Sequence, residues 1–465
     1  MPRRMTGCIA GTRALRPQCP HPRNAAPSLR RARRMTCRNE SLSMTPDLSL
    51  AVVGAGPVGL ALALHAARAL PTARISVFDS RPAELDVSRD PRTLALALGS
   101  VQEFERLGVW PQIAPNSVPI AAVHVSQQQP SMLASVLRLP EPELLLTAQD
   151  CGVDRFGAVA SYGAIVAPLQ AAWLAAVAAE PGRLAARFAT PVAALKSLPP
   201  AEGGGSGGVE VDAGIAERFD LAVVAEGGVF ALQARKSLTH DYRQTAWVGQ
   251  VTLQPGAAGP ALAGTAYERF TPHGPAALLP LPPAENGARR AALVWCVDAD
   301  DDPVQDLTDM QRLALLNTMF HERVGRLTSI TPLKRFALGL NAERSLVEGR
   351  KQGEAGGRGR VVRIGNAAQT LHPVAGQGLN LGLRDAHALV ASLQRSPDID
   401  TALQRVEWQR APDRWTLIAA TDFLARSFTW RLPGLTSARG LGLAGLQLLS
   451  PAKRLLARQM MFGWR

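Results

Sequence analysis

Three glycines near the start of the sequence have the spacing of a phosphate-binding turn. Gly54, Gly56 and Gly59 follow an apolar, β-branched run at 48–53 and precede a run of helix-forming residues. In such a strand–turn–helix context the first glycine permits the tight turn, the second lets backbone approach a pyrophosphate, and the third allows close helix–strand packing. Asp79 ends the next apolar run, where a carboxylate can accept hydrogen bonds from ribose hydroxyls. The pattern predicts a dinucleotide site.

A second glycine-rich segment lies far along the chain, at 365–385. An apolar run at 361–364 precedes it, Pro373 stiffens its loop, and the turn at 376–378 opens a helical pattern. Free N–H groups at a helix N-terminus favour an electron-rich acceptor, and the N1/O2 edge of a flavin becomes anionic on reduction. Two glycine sites so distant in sequence predict one extended ligand held at both ends, and FAD is long enough for this.

The strongly basic charge is largely local. The chain of 465 residues is 46% hydrophobic and carries a formal net charge of +13, but residues 1–43 hold ten arginines against one acid, Glu40. An arginine-rich, acid-poor leader of this kind is typical of a mitochondrial transit peptide, although its prolines interrupt any helical stripe. The alternative is an over-long start before Met44, and we exclude 1–43 from the fold. No nucleic-acid-binding module accompanies the charge.

Cysteine usage and hydropathy restrict the compartment and the cofactors. Three of the five cysteines lie in the leader, and Cys151 and Cys296 have no disulfide or metal-site spacing. We therefore expect no metal and a reducing cytoplasm. We also expect no apolar run long enough to span a bilayer.

Four segments of the sequence resemble a known family. They are GAGPVGLALAL at 54–64, DPRTLALALGSVQEFERLGVW at 90–110, YERFTPHGPAALLPL at 267–281 and GNAAQTLHPVAGQGLNLGLRDAHAL at 365–389. The chain, from about residue 48 to its end, resembles the flavin-dependent aromatic hydroxylases, most closely the ubiquinone-biosynthesis hydroxylases of the UbiH/UbiF/VisC group. The resemblance implies an α/β fold: a Rossmann-like FAD-binding domain, an inserted antiparallel-sheet substrate domain and a helical C-terminal tail.

The same resemblance implies an activity. A chain of this kind uses NAD(P)H and O2 to hydroxylate the aromatic ring of a polyprenyl phenol in ubiquinone biosynthesis, through a flavin C4a-hydroperoxide. Two alternatives stay open. One is a flavin-binding, non-catalytic accessory paralogue, and the other is a flavoprotein reductase or hydroxylase acting on another lipid or aromatic substrate.

The motifs and the resemblance together give a set of candidate site residues. The catalytic candidates are His372, Pro373 and Gln377, with His372 open to the alternative of a hydrogen-bonded structural role. The cofactor-binding candidates are Gly54, Gly56, Gly59, Asp79, Arg81, Arg92, Glu226, Gly227, Gly365, Asn366, Pro373, Gly376, Gln377, Gly378, Leu379 and Asn380.

One segment departs from the family pattern. The family carries an Asp-Gly motif followed by Ser and Arg, whereas this chain has Glu226-Gly227, then Phe230 and Gln233. Arg235 or Lys236 is a candidate to restore the missing positive charge. The change is consistent with tolerated drift in a working enzyme, with a weakened reductive half-reaction or with the non-catalytic alternative.

The segments are assigned to four parts. The assignments are a leader at 1–43, an FAD-binding domain in three parts at 44–120, 156–240 and 346–415, a substrate sheet in two parts at 121–155 and 241–345, and a C-terminal helical segment at 416–465. The last contains seven basic residues and no acid from Phe423 onward, interleaved with large apolar residues. This composition suits either an anionic membrane surface or ordinary core packing. The resemblance implies the phenolic substrate, O2 and a quinone-biosynthesis assembly as candidate partners, and the C-terminal composition adds a membrane surface. The expected location is cytoplasmic, peripheral to the inner membrane, with the mitochondrial matrix as alternative.

Overall fold

The computed structural model describes residues 48–128, 143–198, 207–227, 234, 236–254, 264–320, 324–349, 359–373, 376–427 and 435–464. The leader at 1–43 lies outside these ranges, so its interpretation stays a prediction. Within them the chain alternates strands and helices, and the strands precede the last four helices almost completely.

The strands, in chain order, are β1 (Ser49–Val53), β2 (Arg74–Phe78), β3 (Thr93–Ala97), β4 (Ser117–Ile120), β5 (Ala122–Gln127), β6 (Glu143–Thr147), β7 (Gly157–Ser161), β8 (Leu184–Arg187), β9 (Ala194–Leu198), β10 (Gly208–Asp212), β11 (Ala216–Phe219), β12 (Leu221–Val224), β13 (Leu238–Gln254), β14 (Thr265–Thr271), β15 (Gly274–Leu281), β16 (Arg289–Asp298), β17 (Arg326–Ile330), β18 (Lys334–Ala342), β19 (Val361–Arg363) and β20 (Gln369–Thr370). The α-helices are α1 (Pro57–Ala69), α2 (Leu98–Arg106), α3 (Trp110–Ile113), α4 (Tyr162–Ala179), α5 (Asp309–Met319), α6 (Gly378–Arg395), α7 (Ile399–Ser427), α8 (Leu435–Leu448) and α9 (Ser450–Phe462).

A parallel sheet carries the first glycine turn. Its strands have the order β19-β12-β1-β2-β8, and each neighbouring pair is parallel. Apolar residues bury both faces of β1 and β12, as parallel strands covered by helices require. α1 and α4 pack in the same apolar core as β1 and β2. The carboxyl ends of β1, β12 and β19 therefore open at one edge, where ligands of such sheets bind.

A larger sheet packs separately. Its order is β20-β18-β13-β16-β15-β14-β5-β6, with β17 also pairing β13. All its pairs are antiparallel except β5 with β14. The 17-residue β13 pairs with three other strands, and α5 covers an apolar core that includes Trp295 and Leu316. β14, β15 and β16 lie within 241–345, the second part of the predicted substrate sheet, and β13 begins three residues before it.

Two smaller sheets and the C-terminal helices complete the described chain. The small antiparallel sheets have the orders β3-β7-β4 and β11-β10-β9. α8 contacts β6, and α9 contacts α2, β3 and the short helical turn Gln149–Cys151. The predicted fold class is confirmed: a parallel α/β layer, an antiparallel sheet contributed by intervening segments, and a helical C-terminal end. The exact domain boundaries stay predictions.

One helix contradicts the expectation that no segment has the length and hydropathy of a membrane span. α4 has 18 residues and a mean hydropathy of 1.5, which satisfies both criteria. In the fold its Ile165, Leu169 and Trp173 are fully buried in the core that contains the parallel sheet. A third of the helix is buried, so one face packs in this core, and a helix packed against a core can meet both criteria.

A buried ion network ties α6, α7 and the C-terminal end together. Arg410 donates from Nε to Asp385 Oδ1 at 2.7 Å and from Nη2 to Asp413 Oδ2 at 2.6 Å. Arg384 donates to Asp413 at 3.2 Å, and the Trp464 backbone N–H donates to the same carboxylate at 3.2 Å. Asp385 is completely buried. Because each charge has a partner, the network holds three elements in one arrangement.

Replacing the central cation should destabilise the fold strongly. Arg410→Met would leave Asp385 and Asp413 buried with fewer partners, at a cost of about 3–5 kcal/mol in the free energy of unfolding. Urea unfolding followed by circular dichroism measures this cost. Arg426→Met, which removes an exposed partner of Asp422 on the same helix, is the matched control and should cost less than about 1 kcal/mol. Equal losses in the two variants would contradict this account.

Candidate active site

The first glycine turn requires its glycines for steric reasons. Gly54 has a φ of +104°, and a Cβ there would lie 2.9 Å from the Glu226 backbone nitrogen. A Cβ on Gly59 would overlap the Gly54 carbonyl oxygen. Gly56 differs, because the nearest atom to a Cβ there is the Tyr162 hydroxyl at 3.6 Å. The turn is closed on its protein side and accessible above Gly56, as a pyrophosphate at the α1 N-terminus requires.

Asp79 and Arg81, which follow β2, hold this turn through hydrogen bonds. Asp79 is largely buried and accepts hydrogen bonds from the Ala55 N–H at 2.6 Å and from the Arg81 N–H at 2.8 Å. Arg81 donates from Nε to the same carboxylate at 3.0 Å and from Nη2 to the Ala55 carbonyl at 2.8 Å. The carboxylate predicted to bind a ribose is therefore held beside the glycine turn.

Arg92 reaches the same turn through Tyr162. Its guanidinium lies 4.1 Å from the centroid of the Tyr162 ring and donates to Asp90 at 2.7 Å. Because the Tyr162 hydroxyl faces Gly56, Arg92 is placed near the phosphate turn. Tyr162 was missed by sequence reasoning. The one local signal is its position at the start of α4, where Ser161 caps the helix by accepting from the Ala164 N–H.

Val58 brings the two glycine sites into contact. Its side chain lies 3.4 Å from a Cβ built on Gly365 and 2.9 Å from one built on Gly382. A Cβ on Gly382 would also lie 2.8 Å from Gly365 Cα. α1, α6 and the turn at Gly365 thus pack without room for side chains. The sequence-distant glycine segments form one site.

The second glycine turn has free hydrogen-bonding capacity. Gly376 has a φ of +57°, and α6 begins at Gly378 without a side-chain cap. Gln377 is buried, and its Oε1 has no hydrogen-bond partner among the described residues. The Asn366 Oδ1 lies 3.8 Å from a Cβ built on Gly378. An open helix N-terminus beside an unsatisfied buried amide oxygen fits the polar edge of a flavin, so these residues fit FAD.

Asn380 is structural through its side chain. Its Oδ1 accepts from the Ala97 N–H and the Ser100 hydroxyl, both at 2.7 Å. Its Nδ2 donates to the carbonyls of Ala95 at 3.0 Å and Gly376 at 3.1 Å. These four bonds use the capacity of the amide, leaving only the backbone for the predicted cofactor role. Leu379 packs against the apolar core.

The departure from the family motif lies at the end of β12. Partial burial and the nearby Asp79 raise the pKa of Glu226, although Glu226 and Gly227 are exposed as whole residues. Lys236 Nζ donates to the Asn366 carbonyl at 3.1 Å, and burial lowers the pKa of this lysine. The candidate replacement cation therefore reaches the second glycine turn. Phe230, Gln233 and Arg235 lie outside the described residues.

His372 sits in an environment that keeps its imidazole neutral. It is buried, its Nε2 lies 2.9 Å from Gln244 Oε1, and its ring packs edge-on against Tyr242. Burial lowers the pKa of His372 to about 3. This arrangement favours the hydrogen-bonded structural role over the proton-transfer role.

An apolar cavity of about 130 Å³ adjoins the second glycine turn. Pro373, Gly376 and Gln377 form part of its wall. The opposing walls come from β3, β14, β15 and α9, the last through Ala457, Met460 and Met461. Two of the three catalytic candidates, Pro373 and Gln377, therefore face a space shaped for an apolar ligand. Glu268, from the quoted segment at 267–281 but not among the candidate residues, also lines it.

A second polar cluster lies on α1, α2 and α6. Glu103 contacts His65, accepts from Arg106, and lies 3.1 Å from His387 Nδ1. Burial lowers the pKa of His65 to about 4, while the pKa of Glu103 is lowered by His387, His65 and Arg106 against the effect of burial. The two histidines and the carboxylate are near enough to share a metal ion. Arg106 already neutralises Glu103, so the cluster is explained as a polar contact between helices.

Removing the buried histidine should change the acid stability of the protein. The pKa of His372 lies below its ordinary value of 6.5, so the stability it contributes is present above pH 6.5 and is lost as the pH falls toward 3. His372→Gln cannot be protonated at this position. We expect the melting temperature of the variant to approach or exceed that of wild type as the pH drops from 7 to 4. A constant difference across this range, measured by scanning calorimetry, would contradict the assignment.

Comparison with known proteins supports this reading of the site. Residues 269–398 match the family model described as FAD binding domain. Ubiquinone hydroxylase UbiL of Rhodospirillum rubrum is 34% identical over 43% of this chain and 44% of its own length. The 3-demethoxyubiquinol 3-hydroxylase of Escherichia coli is 26% identical over 87% of this chain and 96% of its own length. The chain thus spans less than half of the first relative and nearly all of the second.

Solved structures share the fold at low identity. The p-nitrophenol 4-monooxygenase PnpA of Pseudomonas putida superposes with a TM-score of 0.63 and 15% identity, over 90% of this chain and 100% of that one. Klebsiella pneumoniae HpxO complexed with FAD and uric acid gives a TM-score of 0.59 and 15% identity, over 88% and 97%. At such identity the likeness concerns the fold alone. By sequence the chain is similar to an FAD binding domain over 269–398 and to ubiquinone-biosynthesis hydroxylases, in agreement with the paired glycine turns.

Proposed function

We propose that this chain is an FAD-dependent monooxygenase that uses NAD(P)H and O2 to hydroxylate the aromatic ring of a polyprenyl phenol in ubiquinone biosynthesis. The observation that carries the proposal is the apolar cavity bounded by the second glycine turn. A substrate ring in this cavity lies against the turn whose Gln377 oxygen is unsatisfied. The names of the sequence relatives supply the substrate class.

The residues that would hold FAD form two groups, one for the pyrophosphate and ribose and one for the flavin. The turn at Gly54–Gly59 offers N–H groups to the pyrophosphate, and Asp79 suits the ribose. The turn at Gly376–Gly378 suits the flavin, with Asn366 beside it. FAD, when bound, supplies the redox and oxygen-transfer chemistry, which no side chain of the protein provides.

The protein itself contributes orientation and the exclusion of water. The cavity wall is largely aliphatic, with Leu96, Ile120, Val123 and Leu146 among its residues. Such a wall binds an apolar ring and keeps bulk water from the reacting atoms. Lys236 adds a positive charge at the Asn366 carbonyl, which supports an intact electron supply from NAD(P)H despite the altered motif at Glu226.

The non-catalytic accessory role is a second candidate, favoured by the altered motif at Glu226 and Gly227. It predicts a protein that retains FAD without oxidising NAD(P)H in response to a phenol. The aliphatic cavity and Lys236 favour the enzyme instead, because an accessory protein has no need of a substrate cavity beside the cofactor turn.

The test of function combines cofactor content with genetic complementation. We expect wild type to purify yellow with about one FAD per chain and to restore one ring hydroxylation in a strain lacking that quinone hydroxylase. Gly59→Ala should lose both properties, because its Cβ overlaps the Gly54 carbonyl oxygen. Mass spectrometry of quinone intermediates and the flavin absorbance spectrum are the measurements.

Gly442→Ala is the matched control. This glycine lies in α8 in a second segment with similar glycine spacing, and a Cβ there meets nothing within 4 Å. It should keep FAD and complementation. A colourless wild-type protein would sink the FAD proposal, and a yellow protein that restores no hydroxylation would favour the accessory role.

We also propose a peripheral location on the cytoplasmic face of the inner membrane. α9 supports this because it has two different faces. Ala457 and Met461 face the cavity side and are buried, whereas Arg454, Leu455 and Arg458 are exposed. The helix therefore separates the cavity from a surface that is both apolar and basic. A lipid substrate would need only a short path from such a membrane contact to the cavity.

An interaction with a quinone-biosynthesis assembly is proposed from α7. Trp408 is 72% exposed and Trp415 36% exposed, seven residues apart on one side of the helix. Exposed aromatic residues in register are enriched at protein interfaces.

Reversing one exposed charge on α9 should weaken membrane binding. Arg458→Glu changes the charge by two units, and each unit near an anionic surface contributes about 1 kcal/mol, so the partition coefficient should fall roughly tenfold or more. Co-sedimentation with vesicles of phosphatidylcholine and 30% phosphatidylglycerol measures it. Lys196→Glu, an exposed residue of β9, is the control with the same charge change. Equal losses in both variants would mean that binding follows net charge and not α9.

A further inference from the structure

Glu268 is a carboxylic acid in an apolar environment. It lies on β14, where its neighbours across the sheet are Val125 of β5 and Ala277 of β15. It lines the cavity beside the second glycine turn. No hydrogen bond or ion pair of its carboxyl is present among the described residues, and burial raises its pKa to about 7.

Among the described residues, the surroundings of Glu268 contain no cation that explains this placement. Cys296 of β16 lies near enough for Glu268 to help burial raise the pKa of the thiol, so Cys296 stays neutral. α6 contributes Gln377 and Asn380 to the cavity, and α9 contributes Ala457, Met460 and Met461, none of them charged. The arginines of α9, Arg454 and Arg458, are exposed on its other side. Tyr267 is the other titratable residue of the cavity wall.

A partly buried carboxyl in an apolar cavity wall, with no partner among the described residues, is unfavourable for folding, so its presence there indicates a ligand that satisfies it. Asn380 cannot serve, because protein groups use all its hydrogen-bonding capacity. Gln377 belongs to the turn that suits the cofactor. Glu268 is therefore the polar group of this cavity that is left for the substrate.

We propose that Glu268 binds the phenolic hydroxyl of the substrate and removes its proton. The proposal rests on the proposed function as an aromatic hydroxylase. The phenol O–H bond breaks, its electron pair stays on the phenol oxygen, and a new O–H bond forms on the Glu268 carboxylate. The negative charge passes from the protein to the ring, which becomes a better nucleophile toward an oxygen donor. After oxygen transfer the attacked ring carbon loses its proton to the oxygen left on the donor, and Glu268 returns its own proton to the phenol oxygen of the product, so the carboxylate is regenerated.

The proposal explains why an acid with a pKa near neutrality suits this position. A general base acts best when its pKa lies near the working pH, because both of its protonation states are then accessible. An ordinary glutamate, with a pKa of about 4.3, would be a weaker base toward a phenol.

A binding arm of the test needs no turnover. FAD-loaded full-length protein is dialysed to equilibrium against 2-geranylphenol or its methyl ether, which lacks the O–H group. We expect wild type to bind the phenol at least about tenfold more tightly, since a hydrogen bond to a charged group is strong. Glu268→Leu should bind the two equally. Wild type that binds both equally, or neither, would overturn the proposal.

A kinetic arm separates proton removal from hydrogen bonding. For wild type, kcat/KM for 2-geranylphenol should rise as the pH passes about 7, where the Glu268 carboxylate forms. Glu268→Gln keeps the size and an acceptor but cannot take a proton, so kcat/KM should fall about a hundredfold and lose this inflection. Glu285→Gln, exposed in the loop after β15, should match wild type.

The two proposals fail in different ways. A wild type that prefers the phenol, with the preference lost in Glu268→Leu, but hydroxylates nothing, would leave phenol recognition by Glu268 standing and reject the hydroxylase. Turnover by Glu268→Gln with an unchanged pH profile would reject Glu268 as the base and leave the hydroxylase intact.

Discussion

The site depends on the close approach of α1 and α6 at glycines that have no side chains to separate them. Val58 packs against Gly365 and Gly382, and Gly59 packs against Gly54. This contact places the N-termini of two helices at the same edge of the parallel sheet. A long cofactor with an anionic pyrophosphate and a reducible ring then has a helix N-terminus for each part. The antiparallel sheet supplies the remaining cavity walls against this fixed edge.

The distribution of polar groups distinguishes structure from function here. Asn380, His372 and Asp385 are buried, and the structure gives each of them protein hydrogen-bond partners. Gln377 and Glu268 face the cavity without partners among the described residues. Because an unsatisfied buried polar group is costly, a fold tolerates it where a ligand repairs the deficit. These two side chains therefore indicate the site more specifically than the conspicuous histidine before the glycine turn.

Sequence patterns predicted the strands, the glycine turns and Asp79 because each depends on local rules. A turn with a positive φ needs glycine, and an apolar β-branched run forms a buried strand whatever surrounds it. Sequence patterns failed where the position or role of a residue depends on tertiary packing. The hydropathy of α4 equals that of a membrane span, and only its burial against the parallel sheet identifies it as a core helix. Tyr162, which sequence reasoning missed, reaches the first turn from α4, and the contact of Lys236 with the second turn is visible only in the tertiary structure.

The sequence by itself determined the α/β architecture, the two glycine signatures and the resemblance to flavin-dependent hydroxylases, since these follow from residue type and spacing along the chain. The tertiary structure decided which polar groups form hydrogen bonds within the protein and which remain available to a ligand. In the sequence Glu268 looks like any polar residue of an alternating strand, and Asn380 occupies a position that the glycine motif predicts for a cofactor ligand. Hydrogen bonds across about 280 residues of chain satisfy the amide of Asn380, as in its contact with Ser100, whereas Glu268, in the wall of the apolar cavity, has no hydrogen-bond partner among the described residues. Burial and pairing are properties of three-dimensional neighbours, so no reading of spacing could assign them.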